Sequence, residues 1–392
     1  METVMDLNLK VNVIPALTYN KLQLNGSSIN ENGIDITSVG TPDPERLPQG
    51  VDIRTGVDTE EAESIFACYR EKMLKADEGL PKPNGDQSYR NDNQSTRTGM
   101  GIEVDELLDK AGVRSDVYYV AEDVKIDEPL VLHYELSDGD GSLSRQIIHL
   151  KENSELTVVM FYESDEEAAG FQGVSTKVLV EKNAKLKLFK IQKLGNKFLH
   201  FDDFGGVVDD NGKVEIVQIE LGAIKNWNGV HITLFGKEAS FLDNTGYLCV
   251  GEQQYDMNYI AEHRGKKTVS DMYFRGVLEG SAQKVFRDTL DFKSGCSGAK
   301  GNEQEDTLLL TPEVVNRSMP IILCQEEDVD GTHGATIGQL SEDVLFYMNS
   351  RGIDDEEAKK LMVRARLESL VKMIPDGATA GKMQYFVQNM NA

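Results

Sequence analysis

The stretch DVDGTHGATIGQLSEDVLFY, residues 328–347, sets a single histidine, His333, where strand-like sequence gives way to a helix. Gly331 and Gly334 lie on either side of the Thr332-His333 pair. In that setting the imidazole reads as a metal ligand, a catalytic base, or a polar residue spanning a tight turn. Cys324 closes the apolar run MPIILC only nine residues earlier. A thiolate and an imidazole within one strand-turn unit are soft and borderline donors of the kind that iron accepts. The default reading of Cys324, at the end of an apolar run, is a small buried hydrophobe.

The remaining candidates are weaker. The four cysteines, Cys68, Cys249, Cys296 and Cys324, are far apart with no C-x-x-C pair, which argues against a disulfide framework and against a self-contained metal-cluster motif. Any metal chemistry would use scattered or borrowed ligands. Cys68, at the edge of an amphipathic helix, is expected to be packed, and Cys296, in the glycine-rich SGCSGAKGNE (294–303), to be accessible. That loop lacks the G-x-x-x-x-G-K-[ST] order whose amides and lysine cradle phosphates, so no ATP site is expected in this chain. His133, His149, His200 and His231 sit in or beside strand-like runs and read as structural, while His263, near a polar corner, stays open.

Composition bounds the partners. Lys plus Arg number 41 and Asp plus Glu 66 in 392 residues, a net charge of −25. Such a surface repels nucleic-acid backbones and anionic headgroups, so neither nucleic acid nor membrane is expected. The start, METVMDLNLK, has no basic region followed by an apolar one, and no apolar run reaches about 18 residues. A cytoplasmic location is the expectation.

Three regions must position the candidates. Residues 1–112 read as helical and irregular: Asp58 and Glu61 form a capping-box pattern, Ala62, Ile65, Phe66, Tyr69 and Met73 fall on one helical face, 81–99 is a polar loop, and EVDELLDKAG closes the segment at Gly112. Residues 113–338 carry a repeat. A polar corner precedes an alternating run whose first apolar residue is Leu156, Leu186, Val214, Phe241 and Val269, at spacings of 30, 28, 27 and 28. Two strands per period indicate a β-solenoid. Residues 339–392 read as a helical hairpin, with Ser341 capping one helix and Asp354 a second that ends before Pro375; Leu361, Met362, Ala365 and Val371 are expected on its inner face.

The segment HGATIGQLSEDVLFYMNSRGIDDEEAKKLM (333–362) resembles the C-terminal signature of the SufB/SufD family of iron-sulfur cluster assembly proteins. MYFRGVLEGSAQKVFRDTLDF (272–292) and GAKGNEQEDTLLLTPEVVNRSMPIILCQEEDVDG (298–331) agree with it, as do IPALTYNKLQLNG and RTGMGIEVDELL less densely. The resemblance implies a mainly β fold, a right-handed parallel β-helix flanked by N-terminal and C-terminal helical segments. It also implies a non-catalytic scaffold subunit that pairs with a SufB-type subunit and carries a SufC-type ABC ATPase on its C-terminal helices. A transient iron-sulfur cluster would form between the two scaffold chains, with sulfur from a cysteine desulfurase system.

Departures indicate a SufD-like member. SufB-like chains usually carry His-Glu where this one has His333-Gly334, and a cysteine within the segment here reading TPEVVNRS. Many SufD-like chains place a cysteine two residues before the histidine, where this chain has Gly331. His333 is then the interface ligand, with Cys324 a second candidate for cluster or metal binding. Pairing is expected through strands at roughly 270–325, a homodimer being the alternative for the isolated chain. Two other classes stand beside this one: an assembly platform that never touches iron, and a carbohydrate-active β-solenoid enzyme, against which the absent secretion signal and single tryptophan, Trp227, argue.

Overall fold

The computed structural model describes residues 3–16, 19–77 and 96–390. The repeat is a parallel β-solenoid of about eight coils, each contributing one strand to an eight-stranded sheet and one to a ten-stranded sheet. Leu156, Leu186, Val214 and Phe241 are register partners across four successive coils, as their spacing predicts. The next step differs by one residue, because Phe241 pairs with Ser270 and Val269 faces outward, 38% exposed. In a strand, a one-residue offset moves a side chain to the other face. Here the inward position belongs to a polar residue, Ser270, whose hydroxyl bonds His263 Nε2 at 2.9 Å.

The corners explain the polar punctuation. Asn153, Asn183 and Asn211 occupy left-handed backbone at φ 60°, 57° and 53°, a conformation asparagine tolerates better than most residues. Two of them stack: Asn183 Nδ2 donates to Asn153 Oδ1 at 2.9 Å, and Asn153 Nδ2 to Asp123 Oδ1 at 2.8 Å. The 81–95 part of the expected polar loop lies outside the described residues. Its last residues, 96–99, run over the ten-stranded sheet, where Asn258 Nδ2 donates to the Gly99 carbonyl at 2.8 Å.

Both outer faces are covered over the middle coils. Against the ten-stranded sheet lie α1 (Thr59–Ser64), α2 (Ala67–Ala76) and α3 (Ile102–Lys110), together with an antiparallel hairpin, Thr3–Val11 with Ser27–Ile36. Asp58 caps α1 through Glu61 N at 2.9 Å, and Ala62, Phe66 and Tyr69 are buried, as the capping box and helical face predict. The hairpin corrects the expectation of a helical, irregular start. Met5, Leu7, Leu9 and Val11 alternate inward against Leu143, Phe171, Phe201 and Trp227, a period of two that was legible in TVMDLNLKV.

α4 (Glu342–Asn349) packs against α5 (Asp355–Val371), and α5 and α6 (Gly377–Asn389) lie over the eight-stranded sheet. Ser341 and Asp354 cap the first two as expected. A third helix follows Pro375, capped by Asp376 through Thr379 N at 2.8 Å, so the region is not a two-helix hairpin. The buried face of α5 is Ala358, Val363, Leu367, Leu370 and Val371. Of the four residues expected there, only Val371 is buried, while Leu361 and Ala365 are exposed, because the groove between Phe161, Phe189, Ile219 and Leu248 sets the helix rotation. Among the described residues no helix is long and apolar enough to cross a membrane.

Candidate functional site

The last coil consists of Val315–Cys324 and Val329–Gly338, the terminal strands of their sheets. On its outer side no described strand pairs with it. His333 lies in the middle of the second strand, not in a turn. The local sequence hides this, because Gly331, Gly334 and Gly338 dilute the strand signal. Its direction follows from Gly331: a Cβ there would come within 2.9 Å of the buried Phe292 ring and 3.4 Å of Ile322, so position 331 faces the lumen. Side chains alternate along a strand, so His333 faces the lumen as well. Thr332 faces out, its hydroxyl donating to Asn302 Oδ1 at 3.0 Å. His333 is nonetheless exposed, because the solenoid ends above it.

Directly beneath His333 in the register is Glu303, and beneath Glu303 is Met272 of the core. Glu303 is fully buried and meets Asp288 from the opposite sheet, which is 4% exposed. Burial pushes the Asp288 carboxyl up to about 7, with Glu305 adding to the rise. Burial and the neighbouring Asp288 raise Glu303 well above the usual carboxylate range. One position along, Glu305 is ion-paired with the buried Lys284 and accepts from the Thr307 hydroxyl at 2.8 Å and the Ser318 hydroxyl at 3.0 Å. Burial alone would raise Glu305, but Lys284 holds it below its ordinary value.

Cys324 is exposed on the opposite strand of the same coil, its thiol directed to the Glu326 carbonyl at 3.0 Å. Ile322 stands across the lumen from Gly331, so Pro320 stands across from His333 and Cys324 lies four residues further along. At about 3.3 Å per residue that is roughly 13 Å. The two sequence candidates thus share the terminal coil without meeting. Among the described residues no three His, Cys, Asp or Glu side chains stand together as a ready metal site.

Three cysteine expectations reverse, the first being Cys324, exposed where the apolar run suggests a buried hydrophobe. Cys68 is exposed, because the face of α2 toward the sheet is taken by Tyr69, and Cys296 is buried, because its glycine-rich corner folds inward onto the core. Burial lifts the Cys296 thiol to about 12, which keeps it protonated and inert. His133, His149, His200 and His231 are structural, as expected, and His263, which the sequence leaves open, is buried and hydrogen-bonded too. His133 meets Glu163 at 2.8 Å and His149 meets Glu181 at 2.8 Å. His231 lies beside Glu262, and His263 sits between the Thr268 and Ser270 hydroxyls. His200 is fully buried beside the Gln172 backbone; burial, then Lys190, depresses it to about 3. The Asp288–Glu303 pair was not singled out by sequence. Its only signal is the alternation in KGNEQEDTLLL, which reads equally well as a solvated strand face.

Residues 133–366 match the family described as "SUF system FeS cluster assembly, SufBD core domain". The chain is similar to the protein named ABCI7, chloroplastic, of Arabidopsis thaliana, 28% identical over 272 residues that cover 66% of this chain and 57% of that one. It is also similar to an iron-sulfur cluster assembly SufBD family protein of Staphylococcus epidermidis, 24% identical over 259 residues covering 66% and 56%. The chain thus spans little more than half the length of these relatives. The solenoid, its flanking helices and the match across 133–366 lead to one conclusion: this chain belongs to the SufBD family of the SUF iron-sulfur cluster assembly system.

Proposed function

We propose that this chain is a SufD-type, non-catalytic scaffold subunit that pairs with a SufB-type subunit, binds a SufC-type ABC ATPase, and contributes His333 to a transient iron-sulfur cluster at the subunit interface. The observation that carries the reading is the placement of His333: lumen-facing, exposed, and on the terminal strand. A partner seated on that coil would meet the imidazole and an unpaired backbone edge together. Ile322 and Ile337, 38% and 42% exposed, add apolar surface to the same coil. The strands at 269–278 and 283–292 are flanked on both sides, so the pairing edge is assigned to 315–338, further along the chain than 270–325.

The ATPase is assigned to the C-terminal helices. α4 buries none of its residues and presents Phe346 and Tyr347 at 76% and 60% exposure, and it follows the His333 strand after only three residues. Movement of α4 could therefore be transmitted to the site through one short connection. Cys324 enters as a second, more distant donor on the same coil. Isolation of the complex from its native cells, with iron and acid-labile sulfide measured alongside the co-purifying chains, tests the reading. A bound ABC ATPase with neither iron nor sulfide would favour the platform role instead.

A further inference from the structure

Two carboxyl groups sealed in a protein lumen need a proton or a cation between them, since neither can donate when ionised. Asp288 and Glu303 are such a pair. They face each other across the lumen, Asp288 beneath Pro320 and Glu303 beneath His333 in the register. No N–H or O–H group among the described residues reaches either oxygen of Glu303 or Oδ1 of Asp288. The neighbouring cation does not serve them: Lys284 is committed to Glu305, the Tyr247 hydroxyl at 2.9 Å and Thr307 at 3.4 Å. The nearby Ser318 and Thr307 hydroxyls are both turned to Glu305. The unmatched oxygens of Asp288 and Glu303 lie together, one coil below His333.

We propose that Asp288 and Glu303 form a ferrous-ion site inside this chain, with His333 as its third protein ligand, so that the subunit carries iron to the interface on its own residues. The inference rests on the reading of His333 given above. Carboxylate oxygens and one imidazole are the hard and borderline donors that suit a divalent first-row ion before it meets sulfide. The register supplies the geometry: His333 is the lumen-facing residue stacked on Glu303, about 4.8 Å away between backbones. The three do not converge in their present rotamers. The exposed imidazole is the member with room to turn, whereas the carboxyl groups are held by the core. Water or a partner's side chain completes the coordination.

The test uses the full-length chain under anaerobic conditions, with Mn2+ as a redox-stable probe read by electron paramagnetic resonance and Fe2+ binding read by equilibrium dialysis. The expected result is one saturable ion per chain, weakened at least about tenfold in Asp288→Asn and Glu303→Gln. The amide introduced by Glu303→Gln can donate to Asp288, so that variant should keep its fold, checked by circular dichroism. A rise in melting temperature on adding Mn2+ to the parent chain, absent in both variants, is the second expected signature. Binding that is no weaker in either variant, or no binding in the parent chain, overturns the proposal and leaves the pair sharing a proton only. Failure here is separable from failure of the scaffold reading: cluster yield in the assembled complex that depends on His333 but not on Glu303 or Asp288 sinks this inference alone.

Discussion

His333 is stacked on Glu303 in the parallel register, the exposed imidazole of the terminal coil above the buried carboxyl of the coil beneath it. One neighbour is open to a partner and the other is sealed in the core. The pair therefore links the subunit edge to the lumen within a single inter-strand step.

The α4 surface should be separable from the fold. Phe346 is 76% exposed and α4 buries no residue, so Phe346→Asp should change stability by under about 0.5 kcal/mol, as surface substitutions do. Binding of the SufC-type ATPase should fall by about tenfold or more, the loss typical of an exposed aromatic anchor. Isothermal titration of the purified chain with the ATPase checks this; unchanged affinity would move the dock to α5 or α6.

Removing an anchor of α5 should act on the fold instead. Leu370 is 1% exposed in the cluster with Leu248 and Val277, and a Cβ at Gly246 would come within 2.3 Å of its Cδ1. Leu370→Ala should cost about 2–5 kcal/mol, and Gly246→Val should lift the helix from the sheet. Urea unfolding gives the first number, and amide exchange protection along α5 reads the second.

Pairing at the terminal coil should depend on its apolar residues. Ile337→Asp and Ile322→Asp alter side chains 42% and 38% exposed, so the chain should remain folded while association with a second scaffold chain weakens by about tenfold each. Sedimentation velocity of the mixed subunits reads the change. Association that tolerates both substitutions would place the interface elsewhere.

Much of the architecture was legible because it is written in spacing and caps. The Leu156-to-Phe241 period and the Asp58, Ser341 and Asp354 caps are local signals that tertiary packing did not override. Rotation of α5 was not legible, since a helix with apolar residues on several sides takes its orientation from the groove it meets. Nor was the strand at His333, because glycine lowers strand propensity and only the register with 299–308 holds it extended. Asp288 and Glu303 escaped notice for a related reason: a solenoid lumen that contains polar residues alternates just as a solvated face does.

Stability should fall as pH rises from mildly acidic to mildly basic. Burial, then the Asp105 charge, raises Asp203 from the usual 3.8 to about 8. Its contribution is full below the unfolded value near 3.8 and is lost as pH rises through about 8. Glu220 and Asp243, raised by burial to about 7 each, act with the same sign. Melting temperatures between about pH 5 and 8.5 should decline, and Asp203→Asn should flatten part of that slope. An unchanged slope would mean that Asp203 ionises without cost.

The most direct test of the scaffold account is anaerobic cluster reconstitution in the complex of this chain with SufB-type and SufC-type partners, comparing the parent with His333→Ala. His333 makes no core contact that the fold requires, so the variant should unfold within about 1 kcal/mol of the parent and still bind both partners. Acid-labile sulfide and the visible absorbance of the cluster should nevertheless drop by about tenfold or more. Cluster formation at the parent rate by a folded, fully assembled His333→Ala complex would contradict the account and leave the chain a platform that holds its partners without touching iron.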